Sequence, residues 1–198
     1  MIQHRNARIL LEHWRARRNG AAPDRSQIDP TALKPALANI FILERADRAY
    51  MPFRLAGSAL CDMFGKELRA QNFFDLWCDD AKRQVQNRIS EMLGAVAPMA
   101  LIAKAERMDS ASAHIEWVFA PVRSARGPLD RVIGCAHAIS GPTVENPWDT
   151  RPFVRQNLFA VAPARTGETL YYAPDTADFK YDASAGERPL FDVVTSAG

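Results

Sequence analysis

The chain has 198 residues, 24% of them charged and 47% hydrophobic, with a formal net charge of +2. That length and composition suit one ordinary domain, with or without an extension. Its 25 basic residues against 23 acidic ones exclude a chain dominated by a nucleic-acid footprint. No apolar run approaches the roughly 18 residues a membrane-spanning helix needs. No apolar secretory signal opens the chain. Cys61, Cys78 and Cys135 are scattered, which fits buried, reduced thiols and a cytoplasmic setting.

The opening segment reads as an amphipathic helix. Ala7, Leu10, Leu11 and Trp14 fall on one face of a 3.6-residue period. Around them stand Arg5, Arg8, Arg15, Arg17 and Arg18 against the single acid Glu12, a local charge of +4. Asn19-Gly20 should stop this helix, and Asp29 should cap a short one that begins at Pro30. Strands are expected over 40–45 and 52–57, then a short helix through SALCDMF that Gly65 closes. An aromatic turn capped by Asn72 leads to a helix over 79–94, with Asp79 and Asp80 at its N-terminus, where the helix dipole favours them, and Gly94 at its end.

Three more strands are expected over 98–109, 113–122 and 130–139. In the middle one Ile115, Trp117 and Phe119 alternate with His114, Glu116 and Val118. Short turns between consecutive strands make them antiparallel, so the fold class is α+β: a five-stranded antiparallel sheet with helices on one face. The segments are an N-terminal helical extension (1–38), the domain (39–140) and a C-terminal extension (141–198). The last holds six of the 13 prolines and eight of the chain's 18 aromatic residues: Trp148, Phe153, Phe159, Tyr171, Tyr172, Phe179, Tyr181 and Phe191. A purely solvated tail would be poor in such rings, so parts of it are expected to dock on a surface.

This order of elements resembles a PAS domain, and the local residues agree. FRLAGSALCDMFGKELRAQNFFDLW is similar to the start of many PAS domains: a strand, a short helix ending in Phe64-Gly65, Glu67-Leu68, then Phe74-Asp75-Leu76. The Trp14, Pro23, Arg25 and Ile28-Asp29-Pro30 spacing resembles a bacterial family of stand-alone PAS proteins without an attached effector domain. Ala70 stands where such proteins usually carry glycine.

The resemblance implies a mostly apolar pocket between sheet and helices. Its candidate ligand-binding residues are Leu55, Met63, Phe64, Phe74, Trp77, Ile89, Met92, Trp117, Phe119, Cys135 and His137. The competing reading is that these side chains simply fill the core. Arg54 could clamp a carboxylate, or snorkel to solvent.

No cofactor is expected. The helix over 79–94 has no histidine to ligate haem, and neither Cys61 nor Cys78 sits in the Asn-Cys-Arg motif of photoactive flavin-binding relatives. No metal is expected either: His4 and His13 lie on opposite helix faces, and Cys135 with His137 supplies only two ligands. Catalysis is not expected, because Gly57-Ser58 lacks the second glycine of a nucleophile elbow and Cys135 and His137 are poorly placed to act as a pair.

The basic helix has three readings: a solvated charged face, a dimer interface through Ala7, Leu10, Leu11 and Trp14, or contact with a membrane surface or nucleic acid. The functional expectation is a cytoplasmic PAS sensory or signalling adaptor, a homodimer with an unidentified signalling protein as partner and a possible small-molecule ligand. The alternatives are a pure protein–protein interaction module with a filled cavity, and a small α+β enzyme.

Overall fold

A computed structural model of the chain describes residues 4–124, 127–146, 149 and 151–163, the last five by their backbone alone. Helix α1 spans Arg5–Arg17 and is capped by His4, whose Nδ1 accepts the Asn6 N–H at 3.2 Å. Two 3-10 helices follow, Arg25–Gln27 and Lys34–Asn39. The Asp29 carboxylate accepts the Thr31 N–H at 2.8 Å, so it folds a turn around Pro30 instead of capping a helix there.

Strands β1 (Ile40–Glu44) and β2 (Phe53–Ala56) lead into α2 (Ser58–Phe64), which ends on Gly65 with a left-handed φ of 61°. A 3-10 turn over Phe73–Leu76 is capped by Asn72, as expected, and precedes α3 (Asp79–Ala95). Helix α3 runs past Gly94, and the left-handed C-terminal position falls on Val96 (φ 50°). Strands β3 (Met99–Glu106), β4 (Ser112–Val122) and β5 (Arg131–Ala138) complete the expected set.

Two further elements lie in the C-terminal extension: α4 (Pro142–Glu145) and β6 (Arg155–Pro163). The sheet therefore has six strands, not five, in the order β2-β1-β5-β4-β3-β6 with every pair antiparallel. The inward-facing Gln156 breaks the apolar alternation of β6, which hides the strand in the sequence. The extension is pinned by Arg107, which is 4% exposed. Its guanidinium pairs with Asp149 at 2.7 Å, donates to Thr143 Oγ1 at 3.0 Å and lies 5.1 Å over the Phe153 ring. Phe153 docks in the core; the other aromatic side chains of the extension lie outside the described residues.

Helices cover both faces of the sheet. On the inner face α2, the Phe73–Leu76 turn and α3 enclose one core. On the outer face α1 and the Lys34–Asn39 helix enclose a second. Ala7, Leu10, Leu11 and Trp14 are at most 1% exposed there. The stripe read as a dimer interface is thus spent on the chain's own sheet, leaving Arg5, Arg8, Glu12 and Arg18 exposed. Strand β4 serves both cores, with Ile115, Trp117 and Phe119 inward and Val118, Ala120 and Val122 outward.

Candidate functional site

The space under the helical wall is built around Phe73. Its ring is 5.4–6.4 Å, centroid to centroid, from those of Phe41, Phe53, Phe74, Trp77, Trp117 and Phe119. Five of these six contacts are edge-to-face, the geometry that opposes a ring's positive edge to a negative face. Gly134 makes room for the cluster: a Cβ there would lie 2.2 Å from Phe41 Cζ and 2.3 Å from the Val118 carbonyl oxygen. The polar groups of this region sit at its β6 end, where Trp117 Nε1 donates to Gln156 Oε1 at 3.0 Å.

Of the residues expected to line a pocket, Phe64, Phe74, Trp77, Ile89, Met92, Trp117 and Phe119 come together here, with the partly buried Met63 at the margin. Three do not. A bulge between Ile42 and Leu43 makes Arg54 an extra residue, so Phe53 faces inward while Leu55 pairs with Ile42 on the outer face. Cys135 and His137 also face outward, because β5 turns Val132 and Ala136 to the inner core. Both faces of β5 are buried, so its sequence does not distinguish them. Arg54 takes the solvent-side role: it is exposed and grips Glu44 with two bonds of 2.8 Å. Phe41, Phe73, Phe153 and Gln156 were missed; the Phe-Phe pair at 73–74 was the one signal available for Phe73.

The outer face carries its own polar anchors. Trp14 Nε1 donates to the Pro121 carbonyl at 2.7 Å, and His13 Nε2 accepts the Asp29 N–H at 3.0 Å. The His4 ring stacks on His137 at 3.5 Å, while the His4 N–H donates to the buried Glu116 carboxylate at 3.0 Å. Burial, then the neighbouring His4, pushes the His137 pKa down to about 3. Burial, then Arg8, lowers that of His4. Burial also pushes the Cys135 thiol up, with Glu116 adding to the effect, so it is a packing group and a poor nucleophile. Between the segment 25–37 and the strands, the outer face keeps an apolar groove of about 110 Å³, whose lining includes the exposed Leu37 and Leu55. Among the described residues no cluster of three or more His, Cys, Asp or Glu side chains is placed to hold a metal, and no helix is long and apolar enough to cross a membrane.

An antiparallel sheet that orders its strands 2-1-5-4-3 and closes its inner face with short helices and one longer one defines the class: an α+β domain with its core between sheet and helical wall. The chain belongs to the PAS domain family, whose sequence profile matches residues 2–137. No curated protein sequence matches the chain. Among solved structures, one of a light-oxygen-voltage domain with a flavin analogue is 17% identical, with 59% of this chain and 87% of that one covered and a TM-score of 0.46. The dark structure of the blue-light photoreceptor Aureochrome1 LOV is also 17% identical, covering 62% and 89% at a TM-score of 0.45. A Rhodobacter sphaeroides LOV protein is 15% identical over 52% and 60%, at a TM-score of 0.43. The family profile, not these likenesses, carries the assignment.

Proposed function

We propose that this PAS domain acts as a cytoplasmic sensory or signalling adaptor, in which a small ligand or a protein partner alters the packing of the sheet and thereby the domain's contacts with another protein. The observation that supports this is the double duty of β4. Trp117 and Phe119 stand in the inner ring cluster, and the residue between them, Val118, packs in the core under α1. A shift of the inner rings moves backbone that seats the outer helix, because close-packed cores transmit displacement. The apolar inner core suits packing and binding better than acid–base or nucleophilic chemistry.

The filled-core alternative, a pure interaction module, draws support from the shell of rings around Phe73. Association of two copies would have to use a surface other than the Ala7–Trp14 stripe, which α1 already buries. Hydrogen exchange in α1, compared between wild type and Phe119→Leu, tests the coupling. Faster exchange in α1 than the global loss of stability accounts for supports it; an α1 that responds only globally removes it. Mass spectrometry under native and denaturing conditions separates the readings, since a released small molecule favours ligand sensing.

A further inference from the structure

At its β6 end the inner core holds three buried N–H donors without an acceptor, two of them neutral; the third is Nε of Arg107, over the Phe153 ring. Trp77 Nε1 and Gln156 Nε2 are buried and unpartnered, in residues 4% and 0% exposed. They share one neighbourhood: Trp77 and Gln156 form a parallel bridge, and the Cys78 N–H donates to the Gln156 carbonyl at 2.9 Å. The Trp77 and Trp117 ring centroids are 6.3 Å apart. Because Trp117 Nε1 occupies Gln156 Oε1, the carboxamide is oriented with its nitrogen as the group in want of a partner. Native cores rarely leave two such donors together.

We propose that Trp77 and Gln156 form a binding subsite for the carbonyl oxygen of a neutral, largely apolar ligand. The proposal rests on reading the domain as ligand-responsive and names the chemistry it would read. The class follows from what the site offers and lacks. It offers donors only: among the described residues the buried, unpartnered side-chain acceptors are Asp130 Oδ1, just before β5, and His137 Nε2, on the outer face. A water held by both donors would turn its own hydrogens toward apolar rings, whereas a carbonyl oxygen has only lone pairs to place. The site also lacks a spare cation. Arg107, which reaches this part of the core over Phe153, keeps a free Nε–H, but its charge is already matched by Asp149, so an anionic ligand would carry an uncompensated charge into the core. Gln156 lies beyond the 2–137 span of the family profile, so the subsite is one that β6 adds to the PAS domain.

Acetophenone and ethylbenzene share a skeleton and differ by the carbonyl group. Titrating each into the full chain, with thermal shift and tryptophan fluorescence as readouts, isolates the contribution of that oxygen. Acetophenone should bind about tenfold tighter. Trp77→Phe keeps an aromatic ring, loses the N–H together with the fused five-membered ring, and should erase that preference. Gln156→Leu should do the same; should it fail to fold, Trp77→Phe carries the test. Equal affinity for the two probes, binding of neither, or a crystal structure with only an ordered water between the two nitrogens would overturn the subsite. Those outcomes leave the signalling reading standing, since it is measured by exchange in α1. An α1 unresponsive to inner-core change beside a carbonyl-selective core would sink the signalling reading alone.

Discussion

The two faces of the sheet solve the same problem by different means. The inner face is packed with rings whose mutual tilt fixes their places, and its members are almost all apolar. The outer face is packed with smaller groups, among them Ala7, Ala36, Ala100, Ala120 and Cys135. Small side chains let α1 approach closely but specify its position poorly, so polar anchors do that at both ends: His4 against His137 and Glu116, and Trp14 against the Pro121 carbonyl. Shape sets one core, and directional bonds register the other. A helix held by a few bonds is easier to release than a wall held by interlocked rings, which places adjustability on the outer side.

The strongest challenge to that contrast is Phe73→Ala, which removes the ring at the centre of the inner cluster and should cost about 3–5 kcal/mol in denaturant unfolding. Leu10→Ala on the outer face should cost about 2–3 kcal/mol; equal losses would show that the rings add nothing special. Arg107→Ala leaves Asp149 without its buried partner and should cost about 2–4 kcal/mol, with residues 142–158 becoming the first sites of proteolysis.

Acid should loosen the outer face first. The His4 and His137 pKa values lie below the ordinary histidine value when folded, so the unfolded chain binds more protons below pH 6.5 and stability falls with pH, down to about pH 3 for His137. Arg8 on α1 adds to the burial that opposes protonation of His4, and the Glu116 carboxylate on β4 faces the same spot, where it accepts the His4 backbone N–H. A loss of about 1–2 kcal/mol between pH 6.5 and 4.5 is expected. His137→Phe should flatten that slope; a variant that tracks wild type would assign the acid sensitivity elsewhere. Trp14→Phe, which deletes the bond to Pro121, should cost about 1–2 kcal/mol and quicken exchange in α1 more than in α3. The smallest effect has the opposite sign: Ala70 has a left-handed φ of 66°, so Ala70→Gly should raise stability by about 0.5–1 kcal/mol.

The elements whose pattern has one period and one buried face were legible: α1, α3 and β4 lie close to their expected spans, and Ala70 does occupy the left-handed position a glycine would favour. What failed needed information from across the sheet. The bulge that turns Leu55 outward arises in pairing with β1, and a one-residue offset exchanges faces wherever it occurs. Apolar residues on both sides of β5 left Cys135 and His137 without a visible direction. An amphipathic stripe announces that something covers it, not what; for Ala7 to Trp14 the cover was the chain's own sheet. Gln156 stayed hidden because a polar residue at a core position looks like surface.

The bonds that seat α1 span long stretches of chain: 112 residues from His4 to Glu116, and 107 from Trp14 to Pro121. During synthesis at about 5–20 residues per second, the helix therefore waits roughly 5–20 s for the strands that will cover it. Through that interval Ala7, Leu10, Leu11 and Trp14 are a sticky surface on the nascent chain. A segment made well before the strands that cover it is among the last to settle, and its arginine-studded outer side is the part that keeps it in water meanwhile.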